Sequence, residues 1–207
     1  MKTPIYSISA ILAIAAILYM SEPVKPPVKT FISGVITNPN SDSIKVYNQT
    51  HEFGARVNYK NKFKMSMQID SADYFTFYDG NETTAIYLKP GECVKLSLDT
   101  EMFDETINYT NSEESTFLSK KFLIEEEYFK AVDMDSIYSL EDSLYFEFFS
   151  ALENSFLTEL NKLSNKDFIN IETERINAMF SSAEDWRKAW EARNLALSVL
   201  PQPGEPA

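Results

Sequence analysis

Cys93 and His51 are the single cysteine and the single histidine of this 207-residue chain. They are the only pair that could build a thiolate nucleophile activated by an imidazole base. His51 falls in a polar turn region. Cys93 opens a strand-like stretch in which Val94, Leu96 and Leu98 alternate with Lys95 and Ser97. If the apolar set faces a core, Cys93 faces outward with Lys95 and Ser97. No neighbouring phrase resembles a cysteine-hydrolase signature, so the better reading is a surface thiol. One cysteine and one histidine also exclude an internal disulfide, a zinc cluster and a CxxC redox pair within the chain.

Carboxylates are the next source of chemistry. Glu125-Glu126-Glu127 could meet a cation, but adjacent helical residues point about 100° apart and do not converge. Asp133, Asp135, Glu141 and Asp142 lack the glycine and spacing of a calcium loop. Three Asn-x-Thr sequons, at Asn48, Asn81 and Asn108, are no more than this composition produces by chance. A dense aromatic patch, Tyr74, Phe75, Phe77 and Tyr78, puts rings on both faces of one strand. One face then lies under other elements or meets a partner. No catalytic, cofactor-binding or metal-ligating residue is expected, and no cofactor.

The formal charge of −12, with a pI near 4.6, repels phosphate backbones, so nucleic acid is excluded as a partner. Lys2 precedes an apolar run from Ile5 to Met20, with no charge until Glu22. That is the pattern of an export signal. The run is slightly short of the ~20 residues of an ideal spanning helix. Leu18, Tyr19 and Met20 make a poor cleavage site, which favours an uncleaved anchor over residues 1–22. Pro23 to Pro27 then reads as a stiff, extended linker, taken to residue 30.

From Phe31 to about residue 110 the period is two. Phe63 to Ile69 alternates strictly, and Phe31–Thr37, Ser43–Tyr47, Tyr74–Tyr78, Thr84–Leu88 and Val94–Leu98 are also strand-like. Turn residues separate them, among them Asn38-Pro39-Asn40, Lys60-Asn61-Lys62, Asp79-Gly80-Asn81 and Lys89-Pro90-Gly91-Glu92. From residue 111 to residue 200 the pattern is helical: Ser112–Val132, one long helix, Asp167–Phe180 and Ser182–Leu197. The long helix is marked by Ile137, Leu140, Leu144, Phe148, Leu152, Phe156, Leu160 and Leu163, which form one apolar face. Ser182 with Asp185 reads as a capping box. The fold class predicted is α+β: an antiparallel β-sandwich or barrel-like domain over 31–110, followed by an all-α region over 111–200. The helices are expected to pack mainly on each other.

Several phrases together resemble one family. They are Phe31-Ile32-Ser33-Gly34-Val35-Ile36, Asp42-Ser43-Ile44-Lys45-Val46-Tyr47, Asn61-Lys62-Phe63-Lys64-Met65, Ile86 to Asp99 with its Leu88-Lys89-Pro90-Gly91-Glu92 turn, and Phe103 to Tyr109. They are similar to the β-domain found ahead of the thioredoxin domain in TlpA-like thiol–disulfide oxidoreductases of Gram-negative bacteria. Pro203-Gly204-Glu205-Pro206-Ala207 resembles the entry to that family's thioredoxin domain. The resemblance implies a helical spacer after the β-domain, export to the periplasm and attachment to the inner membrane. It carries over no catalytic residue, because none of the matching positions is catalytic in the family. The expectation is a non-catalytic accessory module that positions a redox domain or its client. The rival expectation is an independent envelope module that binds a peptide or glycan on the aromatic sheet.

Overall fold

Strict alternation over Lys62–Gln68 sends Phe63, Met65 and Met67 to one side and lysines and polar residues to the other. Strands of this kind must pair and stack to bury the apolar side. The computed structural model describes residues 28–130 and 132–198. The apolar N-terminal run, most of the Pro-rich linker and the Pro203–Ala207 phrase lie outside them. Eight described strands form two four-stranded sheets: β1 (Lys29–Thr37), β2 (Ser43–Tyr47), β3 (Glu52–Arg56), β4 (Lys62–Gln68), β5 (Asp73–Tyr78), β6 (Thr83–Leu88), β7 (Cys93–Asp99) and β8 (Asn108–Thr110). One sheet runs β4-β1-β7-β8 and the other β3-β2-β5-β6. They stack as a sandwich and do not close into a barrel. Ile32, Ile36, Ile44, Val46, Phe75, Phe77, Val94, Leu96 and Leu98 fill the space between them.

The sheets are not wholly antiparallel. β1 pairs antiparallel with β4 but parallel with β7, Phe31 opposite Cys93 and Ile36 opposite Leu98. The chain changes sheet repeatedly between β1 and β7 and returns in the same direction, which a hairpin cannot do. Two strands escape the alternation pattern. Glu-Phe-Gly-Ala-Arg of β3 is a half-buried edge strand with a glycine at its centre, and β8 has only three residues. The expected linker also ends sooner, since Lys29 and Thr30 already belong to β1.

Turn chemistry falls where the turn residues stand. Asn38, Asn61 and Asn111 adopt positive φ, as do Gly80 (φ 111°) and Gly91 (φ 81°), conformations that asparagine and glycine tolerate best. Gly34 is needed for a different reason. A Cβ there would come within 2.7 Å of the Phe63 ring and would also strike the Leu96 carbonyl oxygen. Neither neighbour can yield without disturbing the sandwich core. Gly34→Ala is expected to cost about 1–3 kcal/mol, the usual range for overpacking, read as a lower urea midpoint at unchanged m-value.

After a 3₁₀ turn (Thr100–Met102) the described helices are α1 (Phe103–Thr106), α2 (Glu113–Lys130), α3 (Met134–Tyr138), α4 (Asp142–Leu160), α5 (Lys166–Ser181) and α6 (Ala183–Ser198). The long predicted helix is two. α3 ends at Ser139 and α4 starts anew after Glu141. This break rotates the apolar face. Tyr145, Phe149, Leu152, Phe156 and Leu160 are buried, whereas Leu144 is half exposed and Phe148 only partly covered. The predicted capping box does not form either. The Ser182 hydroxyl donates to the carbonyl of Ala178 in the preceding helix and does not accept from an α6 amide as an N-cap would.

The helices do not pack only on each other. Tyr87 and Tyr74, which point outward from the second sheet, join a cluster with Phe117 of α2 and Phe168 of α5. The rings of Tyr87 and Phe168 meet edge-on at 4.8 Å. One outer face of the sandwich is therefore covered by helices, and the other is open.

Candidate functional site

Residues that could do chemistry by type are kept apart or used as structure. Cys93 is exposed on β7, while His51 sits at the β2–β3 turn of the other sheet, its Nδ1 2.8 Å from the Thr50 hydroxyl and its ring stacked on Phe53. The second sheet uses its aromatic rings internally. Phe75 and Phe77 enter the sandwich core, Tyr74 lies under the helices, and the Tyr78 hydroxyl donates to the Gly80 carbonyl. Asp133 caps α3, Asp135 accepts from the Trp190 indole at 2.7 Å, and Asp142 pairs with Arg187 at 2.9 Å. Among the described residues no three His, Cys, Asp or Glu converge as a metal site. None of the described helices is long and apolar enough to cross a membrane.

Two polar networks hold the sheet-to-helix seam. Ser112 opens α2, and its hydroxyl accepts from the Ser115 amide. The buried Ser115 hydroxyl then accepts from the Tyr87 amide and donates to the Tyr87 carbonyl, each at 3.1 Å. β6 is an edge strand, and this side chain occupies backbone groups that would otherwise invite another strand. Next to it, Glu114 is fully buried and accepts from Lys89 Nζ at 2.6 Å and Asn165 Nδ2 at 2.5 Å. Burial works against the Lys89 ammonium, but the Glu114 and Glu92 carboxylates outweigh it and raise its pKa. Burial is also the main cause that raises Glu92. Burial pushes Glu113 upward as well, but hydrogen bonds from Ser164 and Asn165 prevail and hold it below the usual carboxylate range. Lys89 belongs to the Lys-Pro-Gly-Glu turn, which buried Thr30 clamps through the Lys89 carbonyl and the Gly91 amide.

The second network centres on Glu172 of α5, 2 % exposed. It accepts from the Tyr74 hydroxyl at 2.6 Å and from Lys121 at 3.2 Å. Arg175 lies over the Tyr74 ring, 4.2 Å from its centroid. Burial, then the Glu172 contact, raises the Tyr74 pKa. These groups are satisfied by one another and act as fasteners between layers.

Two of the surface depressions border the first sheet or its seam with the helices. A groove of about 780 Å³ follows the seam, lined by Asn108 to Glu114, Lys120, Glu159 and Lys162. Lys120 and Lys162 both pair with Glu159 at 2.6 Å there, while the buried Glu114 Oε2 has no hydrogen-bond partner. The other, about 590 Å³, lies on the open outer face of the β4-β1-β7-β8 sheet. There the register sets Ser33 of β1 between Lys64 of β4 and Lys95 of β7, with Lys62 opposite Val35 and Arg56 at the border. No carboxylate lines it. This surface was legible only in part. Alternation showed that Lys64 and Lys95 point outward, but not that β4 and β7 flank the same strand.

Fold and surface together define an α+β protein, a two-sheet sandwich with one face roofed by helices and one face open and cationic. Comparison with family models, with curated proteins and with solved structures finds no match to this chain.

Proposed function

We propose that this chain is a non-catalytic accessory module of a membrane-attached periplasmic protein of the TlpA-like kind, and that it positions a thioredoxin-like domain or that domain's client. The reading rests on the family resemblance of its β-domain phrases. One structural observation supports it: the polar contacts of the seam join sheet to helices, while no described element packs on the outer face of the β4-β1-β7-β8 sheet. The open face also favours a second reading, an independent envelope binding module. That module would use the cationic sheet and not the aromatic one, whose rings are occupied.

The chain is expected to fractionate with the inner membrane, with protease access in spheroplasts. In an insulin-reduction assay with dithiothreitol it should match the no-protein control, because a lone cysteine cannot cycle between dithiol and disulfide. Turnover abolished by Cys93→Ser, or a soluble cytoplasmic protein that retains Met1, would overturn the reading.

A further inference from the structure

The fold separates charge. Residues 111–198 hold eighteen Asp and Glu against nine Lys and Arg, and these helices roof the outer face of the β3-β2-β5-β6 sheet. The opposite outer face carries Lys29, Lys62, Lys64 and Lys95. None of these four, nor Arg56 at the border, takes part in an ion pair among the described residues; Lys60, Lys130 and Lys166 are also without one, but only on this face do several such lysines share one sheet surface. Lys64 and Lys95 flank one strand, so their stems stand about 10 Å apart. A chain with 31 acidic residues leaves this cluster unneutralised. An external anion would relieve the repulsion.

We propose that this face docks on the anionic headgroups of the bilayer, which sets the orientation of the protein on its membrane. The composition favours a bilayer over an acidic polypeptide. Val35 is exposed opposite Lys62, Lys64 lies over the Phe31 ring, and Tyr59, on the β3–β4 turn that leads into Lys62, is 90 % exposed with Lys60 over its ring. Tyrosine with apolar side chains and long cationic stems is the mixture that settles at a membrane–water interface. Continuity argues the same way. β1, which places Lys29 on the face, directly follows the linker from the N-terminal apolar run. In this the inference rests on the membrane attachment proposed above. The net negative charge does not oppose it. The helical half lies beyond a sandwich about 10 Å thick, at least a Debye length away at ordinary ionic strength.

The test uses the full chain with vesicles of phosphatidylcholine alone, or of phosphatidylcholine and phosphatidylglycerol in equal amounts. Flotation reports attachment. Acylation of individual lysines by an amine reagent, read by mass spectrometry, reports docking. Flotation with both vesicles is expected. Lys62, Lys64 and Lys95 should react several-fold more slowly on the anionic vesicles at low salt, and equally on both at high salt. Exposed Lys130 and Lys166 on the helices should not change. In a Lys62→Glu, Lys64→Glu, Lys95→Glu variant, which keeps the core, protection of neighbouring Lys29 should vanish while flotation persists. Flotation with anionic vesicles alone would refute the N-terminal attachment and uphold the docking face. Flotation with both and equal lysine reactivity would overturn the docking face and leave the attachment standing. Protection by added polyglutamate but not by anionic vesicles would also overturn it, in favour of an acidic polypeptide.

Discussion

Phe149→Asp is expected to melt the helical half, whereas Leu144→Asp, five residues earlier, leaves it folded. Phe149 is 4 % exposed and lies among the rings of Tyr145, Phe148, Trp186 and Phe180, at 5.0, 5.2, 5.6 and 6.5 Å. Loss of the buried ring alone costs about 3–5 kcal/mol, and an unpaired carboxylate in its place adds to that. A domain stable by ~5–15 kcal/mol retains little after such a loss. Leu144 is 50 % exposed, so a charge there stays in water and costs well under 1 kcal/mol. Helical circular dichroism against temperature separates the two. Equal losses would mean that Leu144 is buried as well, and a larger loss for Leu144→Asp that its face is the buried one.

The second large effect follows from cutting the chain at residue 110. Residues 28–110 keep the whole sandwich core, because the buried residues between the sheets come from that segment. They should give a cooperative melt with β-type circular dichroism. The fragment is nevertheless expected to be less stable than the intact chain by several kcal/mol. Tyr87 and Tyr74 lose Phe117 and Phe168, and full exposure of such a ring costs about 1.5–3 kcal/mol. The Tyr87 backbone also loses Ser115, which frees the β6 edge to pair with another copy. Concentration-dependent association, relieved by Tyr87→Ser, should accompany the fold. A fragment with no cooperative melt would show that sheet and helices share one indivisible core, and that residue 110 is no boundary.

Most strands and turns were legible because their causes are local. Alternation in Lys62–Gln68 and Cys93–Asp99 states which side chains share a face, and the asparagines and glycines of the turns stand where the backbone turns left-handed. β3 was not legible, since a half-buried edge with a central glycine leaves little alternation to detect. The apolar face of α4 is as predicted at Leu152, Phe156 and Leu160 but one column off in its first two turns, for a related reason. Two neighbouring columns, Leu144 with Phe148 and Tyr145 with Phe149, both carry apolar side chains at helical spacing, and the break at Ser139–Glu141 resets the phase between helices.

By itself the sequence determined the change from a period of two to a helical period, the turn positions and the outward thiol of Cys93. Tertiary structure decided which column of α4 is buried, which outer sheet face the helices cover, and that Lys64 and Lys95 come to flank Ser33. The physical reason is that periodicity is a property of a segment, whereas burial and charge clustering depend on what packs opposite it. β1 lies between β4 and β7, strands more than twenty residues apart in the chain, and no pattern within either strand records that neighbour.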